Sequence, residues 1–194
     1  HLYTYCFNNP INYVDPSGHM AMPDMRSDLR MVGYSCKGLG LYYTGEFLLH
    51  SLKNRPKNKY YSSTSNLTKD IKLQSAYKEA KRFIMKKCYK TSKKSFSITG
   101  KNIEFNRTAG TRKAWDMYLA IHGANYSVKC TKRNGRWSYK MKIQDRYDFE
   151  HWNYSKYKKF TGKVVVAINN YAECKQRFGY IKRYMVYIDV KDSF

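Results

Sequence analysis

The chain has 194 residues, which is enough for one domain with a loose N-terminal arm. Its 37 Lys and Arg residues against 14 Asp and Glu give a formal charge of +23, which favours polyanionic partners: nucleic acid, anionic lipid or an acidic protein. No apolar run of about eighteen residues occurs, so no transmembrane helix is predicted. The five cysteines form no C-x-x-C pair, which argues against a zinc site, and their odd number leaves one unassigned disulfide possible.

The N-terminal segment contains two turn signals around a tyrosine-rich stretch. Asn9-Pro10 and Asp15-Pro16-Ser17-Gly18 both favour turns. Residues 2–18 resemble the closing segment of the YD-repeat (Rhs-type) core, with the pattern L-Y-x-Y-x-x-N-N-P-x-N-Y-x-D-P-x-G. This resemblance implies that residues 1–19 are the remnant of a β-shell carrier and that residues 20–194 are a C-terminal toxin domain. It also implies a cognate immunity protein, which the charge of +23 predicts to be acidic.

The first half of the toxin domain, residues 20–94, is predicted to be mainly helical. Pro23 favours the first turn of a helix, residues 41–52 are apolar enough to be buried, and residues 54–66 form a polar loop. A helix is predicted over residues 68–89, with Thr68 as its N-cap and a basic exposed face. That face is interpreted as a solvated helix surface rather than a dedicated binding site.

The second half, residues 95–194, is predicted to be the β-rich catalytic part. Strand pieces are expected over 95–105, and a hairpin over 125–143 is predicted from alternating residues on both sides of Asn134-Gly135, a type I′ signal. A packed helix over 163–178 stops at Gly179, and a last strand covers 184–190. The predicted fold class is therefore α+β: a helical N-terminal half, then an antiparallel sheet with one packed helix.

Three of the chain's acids lie together directly after the second strand of this hairpin. They are Asp145, Asp148 and Glu150, with Tyr147 between the two aspartates. Two close carboxylates can share a divalent cation, or can divide into acid and base because like charges raise one pKa. The alternative is a strand-to-loop turn whose acids form structural ion pairs with neighbouring lysines.

The segment Asp145-Arg146-Tyr147-Asp148 resembles the D-x-Y-D signature of colicin M-type bacteriocins, and the similarity extends weakly over residues 105–190. That family uses Mg²⁺ to hydrolyse lipid II, the pyrophosphate-linked lipid precursor of peptidoglycan. The resemblance implies that Asp145 and Asp148 hold Mg²⁺ or activate water and that Tyr147 orients the substrate.

The chain departs from the colicin M pattern after the aspartates, because the family's His-Arg pair has no clean counterpart. His151 comes too early to match its histidine, although it remains a candidate catalytic residue. Lys156 and Lys159 are the nearest candidates to contact the phosphates, since a diphosphate leaving group must be neutralised. A solvated loop is the alternative for both lysines. His122 is a second candidate for the catalytic base, and a structural role is the alternative for this histidine.

Two enzymatic functions follow as expectations. The first is a secreted antibacterial toxin that hydrolyses lipid II at the outer face of the cytoplasmic membrane of a competing cell. The second is a basic ribonuclease or deoxyribonuclease toxin that acts on nucleic acid in the target cytoplasm; the charge and the 20 tyrosines suit it. A pore-forming or binding module without activity is disfavoured because the chain contains no hydrophobic hairpin.

Overall fold

The structure is a computed structural model that describes residues 13–14, 22–23, 26–106, 110–153, 155 and 160–194. The elements in chain order are β1 (Tyr13–Val14), β2 (Met22–Pro23), α1 (Ser27–Gly38), α2 (Tyr42–Ser51), β3 (Lys59–Tyr61), α3 (Asn66–Leu73), α4 (Ser75–Lys90), β4 (Ser95–Glu104), α5 (Arg112–Ala120), β5 (Gly123–Arg133), β6 (Arg136–Tyr147), α6 (Phe160–Arg177) and β7 (Tyr184–Ser193). The α+β class is confirmed, with helices in the N-terminal half and most strands later. Within the described residues, no helix is long and apolar enough to cross a bilayer.

Five strands form one sheet in the order β3-β7-β6-β5-β4. All neighbours are antiparallel except β3, which pairs in parallel with β7, so the sheet is mixed rather than purely antiparallel. Strands β5 and β6 form the predicted hairpin, with Arg133 opposite Arg136 at its end. The turn residues Asn134 and Gly135 have φ of 48° and 78°, as a type I′ turn requires.

We expect Gly135→Val to lower the free energy of unfolding by about 1–3 kcal/mol, because a β-branched residue is strained at positive φ. A Cβ at this position meets no atom within 4 Å, so the loss would be conformational rather than steric. Gly135→Asn is the control, since Asn tolerates this region and should cost less. Chemical denaturation measures both, and equal losses for the two variants would contradict the explanation.

One face of the sheet is buried under helices α2 to α5. On β6, Trp137, Tyr139, Met141 and Ile143 are all buried, which confirms the alternation predicted from the sequence. The Tyr139 hydroxyl lies 2.6 Å from the hydroxyl of Tyr77 on α4, so the helix and sheet also share a buried polar contact. The other face of the sheet carries the intervening exposed residues.

A second, smaller core joins α1, α2 and α6. Its buried members are Leu29, Leu48, Leu52, Ala172 and Ile181. Helices α1 and α2 approach so closely that a Cβ on Gly45 would lie 2.3 Å from the carbonyl oxygen of Gly33. The crossing therefore requires glycine at position 45, and it places α1 beside the end of the sheet.

Four local predictions were wrong: one helix, its N-cap, one loop and the start of another helix. The helix predicted over 68–89 is two helices, because Gln74 is extended (φ −73°, ψ 147°) between α3 and α4, and the N-cap is Ser65, whose hydroxyl accepts from the Thr68 amide at 3.2 Å. The loop predicted over 54–66 contains edge strand β3, and Pro23 lies in β2 while α1 begins at Ser27. The predicted helix over 163–178 corresponds to α6.

The four cysteines of the described residues, Cys36, Cys88, Cys130 and Cys174, are free thiols. Cys88 on α4 and Cys130 on β5 are buried side by side. Burial, and then the neighbouring Cys88, raises the pKa of Cys130 to about 12, so this thiol stays protonated.

Candidate functional site

Asp145 lies on the buried face of β6, two positions before the strand ends at Tyr147. Its neighbours on that face, Ile143 and Tyr147, are both in the main core. Burial, and then the charge of Asp148, raises the pKa of Asp145 to about 7. No cation lies within ion-pair distance of this carboxyl group among the described residues. Asp145 can therefore gain or lose a proton near neutral pH.

Asp148 is held differently, between two arginines at the rim of the site. Its Oδ2 accepts a hydrogen bond from Nε of Arg146 at 2.7 Å and lies 3.8 Å from Nε of Arg183. The carboxylate is mostly buried, whereas the Arg146 and Arg183 side chains are 62% and 58% exposed. Two cations are thus accessible beside the acid pair.

Tyr147 anchors the acid pair in the core. Its ring centroid lies 5.2 Å from that of Tyr184, 5.4 Å from that of Phe149 and 5.8 Å from that of Phe47. Burial is the main cause that raises the pKa of the Tyr147 hydroxyl. The tyrosine is therefore a neutral, fixed side chain, and it lines the cavity described next.

A cavity of about 940 Å³ opens between the end of the sheet, helices α1 and α6 and the C-terminal end of α5. Asp145, Tyr147 and Asp148 all line it, so the structure brings together the three residues of the predicted motif. Much of the remaining wall is apolar: Leu29, Val32, Leu39, Leu41, Leu48, Val165, Ile168 and Ala172. The polar part adds two acids and four amides: Glu104, Glu150, Asn102, Asn125, Gln144 and Asn169.

Amide side chains of α6 hold the segment that follows the aspartates. Gln176 accepts from the Phe149 amide and donates to the Phe149 carbonyl, both at 3.0 Å. Asn170 accepts a hydrogen bond from the Trp152 amide at 2.8 Å and donates one to the Trp152 carbonyl at 2.9 Å. Asn169 donates to the Glu150 carbonyl at 2.7 Å. Phe149 also packs against both cores. The segment after the aspartates is consequently fixed by hydrogen bonds to α6 and by the packing of Phe149.

His122 lies in the cavity wall at the start of β5, in a backbone conformation that is rare for residues other than glycine. Its φ is 52°, and its carbonyl accepts a 2.7 Å hydrogen bond from the Phe105 amide. The ring contacts those of Tyr118 and Trp152, with centroids 4.8 and 5.7 Å away. Such strain is commonest at functional sites, so this histidine is a stronger candidate than the sequence alone indicated.

Of the remaining predicted site residues, only His151 is described by the structure. His151 is exposed and does not line the cavity, because the segment turns along α6 after Glu150. Lys156 and Lys159 lie outside the described residues. Among the described residues, Arg146 and Arg183 are the cations beside Asp148. The sequence contained no local signal for Arg183, which directly precedes β7.

The donor set next to Asp145 suits a magnesium ion only in part. Among the described residues, no group of three His, Cys, Asp or Glu side chains could enclose a metal. Mg²⁺, however, is commonly held by one or two carboxylates together with water and substrate phosphates. Asp145 and Asp148 are close enough to repel one another electrostatically, which a bound cation would relieve.

No protein-family model, curated protein or solved structure matches this chain. The two resemblances therefore depend on residues 2–18, on the Asp145–Asp148 motif and on the weak similarity over residues 105–190. The functional proposal is therefore based mainly on the fold and on the residues that line the cavity.

Proposed function

We propose that the domain hydrolyses a lipid-linked pyrophosphate, of which the peptidoglycan precursor lipid II is the expected example. The observation that carries the proposal is the composition of the cavity: an acid pair and Arg146 at one side, with Arg183 next to Asp148, and a largely apolar wall along the rest. A ligand that fits both parts has an anionic head and a hydrocarbon tail. A prenyl pyrophosphate has that chemistry.

The acid pair supplies the proton transfers that hydrolysis needs. The attacking water must lose a proton and the departing oxygen must gain one. Asp145, with a pKa of about 7, is suited to exchange such a proton at neutral pH. Asp148 holds Arg146 and Arg183 at the cavity rim, where their charges would neutralise the diphosphate.

Asp145 and Asp148 are also the residues that would hold Mg²⁺. A bound magnesium ion would polarise a phosphoryl oxygen and neutralise negative charge on the substrate. The carboxylates are the oxygen ligands that this ion prefers.

We expect hydrolysis of purified lipid-linked pyrophosphate to disappear in excess chelator and to return when Mg²⁺ is added back. Release of the water-soluble headgroup measures this. Calcium added at the same concentration is the control, because it favours more ligands and longer bonds than magnesium. Undiminished hydrolysis in chelator would remove the metal from the proposal.

We expect His122→Asn to lower hydrolysis by about tenfold or more, because the imidazole faces the same cavity as the acid pair. Asn tolerates the positive φ, so thermal stability should change little. His122→Val is the contrasting variant, since the strained backbone should make it unstable as well as inactive. Full activity in a folded His122→Asn protein would leave the histidine a structural role only.

The biological setting rests on the resemblance of residues 2–18 to a YD-repeat carrier. The domain would be secreted with that shell and would act at the outer face of the cytoplasmic membrane of a competing cell. An acidic immunity protein would protect the producer, in keeping with the charge of +23. Expression with an export signal should therefore kill the host, and expression in the cytoplasm should not.

A nuclease is the second candidate, and the amides in the cavity favour it. Asn102, Asn125 and Gln144 line the wall near His122 and could hydrogen-bond bases. Killing from the cytoplasm without export, accompanied by RNA or DNA degradation, would support this function and contradict the first.

A further inference from the structure

We propose that the open face of the sheet binds the surface of an anionic membrane and so presents the cavity to a substrate in that membrane. The open face is the sheet face opposite helices α2 to α5. It carries the exposed residues Lys129, Lys140, Lys142 and Lys191, and Asp189 lies opposite Lys142. The inference rests on the proposed function, because it supplies the surface on which a lipid-linked substrate is met. Its evidence is the arrangement of side chains on β3 to β7.

Three lysines stand in one row across the open face. Lys140 on β6 lies directly opposite Lys129 on β5 and Lys191 on β7. All three side chains are exposed. None forms an ion pair with another described residue. Like charges directly opposite destabilise a sheet, so the row favours an anionic partner that would neutralise it.

A second row crosses all five strands and ends in two tyrosines. Paired residues place Asn102, Asn125, Gln144, Tyr187 and Tyr60 side by side on the same face. The Tyr60 and Tyr187 rings are stacked, with centroids 4.9 Å apart and planes 13° from parallel. Tyr60 is 74% exposed. The open face therefore combines lysines with aromatic side chains, as membrane-surface sites do.

The stacking geometry favours a lipid surface over bases. Tyr60 and Tyr187 lie on adjacent strands, so a stacked pair has its ring planes roughly perpendicular to the sheet. The rings then point their edges and hydroxyls outward and cover one face of each other. Bases that lie flat on a sheet need exposed ring faces, whereas a bilayer interface accepts upright tyrosines with the hydroxyl among the headgroups.

The cavity opens at the edge of this face. Asn102, Asn125 and Gln144 of the tyrosine row line it, and so do Arg146 and Met185 one row further along. A membrane against the lysines would thus bring a lipid headgroup close to Asp148 and its arginines. The surface and the cavity form one continuous path for a lipid-linked anion.

The test measures binding to sedimenting vesicles that contain no pyrophosphate lipid. Wild type is compared with two triple variants of equal charge change: Lys129→Glu, Lys140→Glu, Lys191→Glu on the open face, and Lys78→Glu, Lys86→Glu, Lys90→Glu on α4, which packs against the opposite face of the sheet. On mixed phosphatidylglycerol–phosphatidylcholine vesicles, the open-face variant should bind roughly 100-fold more weakly, at about fivefold for each lysine. The α4 variant should change far less, and pure phosphatidylcholine should bind none of them well.

Equal loss in both triple variants would overturn the inference, because net charge alone would then explain binding. So would an open-face variant that keeps vesicle binding but loses binding to a single-stranded oligouridine, since the surface would then serve RNA. Tyr60→Ser changes one exposed residue and should also weaken vesicle binding. It provides a second test in case the triple variant does not fold. Asp148→Asn should bind vesicles like wild type, so a failure of the hydrolase proposal would be seen separately.

Discussion

Asp148→Asn should lower hydrolysis of lipid-linked pyrophosphate by about 100-fold or more and abolish toxicity of the exported domain, while the protein stays folded. The variant removes the negative charge that binds Arg146 and Arg183 and that would hold Mg²⁺. Both arginines are more than half exposed, so loss of their ion pairs should cost at most about 1 kcal/mol of stability. Activity and stability should therefore separate.

Asp70→Asn is a closely matched control. Asp70 forms a 2.6 Å ion pair with Lys113, its side chain is 18% exposed against 14% for Asp148, and it does not line the cavity of Asp145. Headgroup release and thermal unfolding should be measured for both variants. The proposal would be untenable if folded Asp148→Asn protein were fully toxic, or if Asp70→Asn lost as much activity.

The sheet was largely predictable from the sequence because its signals are local. Asn134-Gly135 sets the turn, and alternation sets which residues of β6 face the core, so the hairpin and its buried residues were predicted correctly. Strand β3 was not predicted, because three residues in a polar segment become a strand only by pairing with β7. The break at Gln74 was missed because neither Gln74 nor Ser75 is a strong helix breaker.

The candidate site was predictable only where its residues are adjacent in the chain. Clustering of acids identified Asp145 and Asp148, and the structure places both in one cavity. His122 and Asn169 line that cavity from distant elements, Arg183 lies beside Asp148, and no local pattern in the sequence joins them. The strained φ of His122 is a property of the folded backbone, which the sequence does not show.

A comparison of two buried acids indicates which one is structural. Asp116 is 3% exposed, and its carboxylate accepts hydrogen bonds from the Tyr43 and Thr44 amides and from the Thr44 hydroxyl at 2.8–3.0 Å. It therefore caps the start of α2. Burial and the charge of Asp148 oppose ionisation of Asp145, whereas the backbone amide and the charge of Arg146 favour it. A carboxylate in so unfavourable a setting is a functional candidate.

Asp145→Asn should consequently stabilise the domain at alkaline pH while it abolishes hydrolysis. The pKa of Asp145 is raised from 3.8 to about 7 by folding, so between these values the native state binds a proton that the unfolded state has released. The contribution of this group to stability therefore falls as pH rises from about 4 to about 7 and remains low above that. After allowance for its partial exposure, the loss is about 2–3 kcal/mol at pH 8. An uncharged asparagine avoids it.

Unfolding in urea without metal, at pH 8 and near pH 4, gives the necessary measurement. The stability gain of Asp145→Asn should be about 2–3 kcal/mol at pH 8 and should shrink below about 1 kcal/mol near pH 4, where both states of the wild type become protonated. Asp189→Asn, at an exposed position on β7, should change stability by less than about 0.5 kcal/mol at either pH. Added Mg²⁺ should stabilise the wild type at pH 8 but not Asp145→Asn, because ion binding requires the charged carboxylate. A variant that is less stable than wild type at pH 8 would show that Asp145 is a structural residue, and the proton-transfer role proposed for it would have to be abandoned.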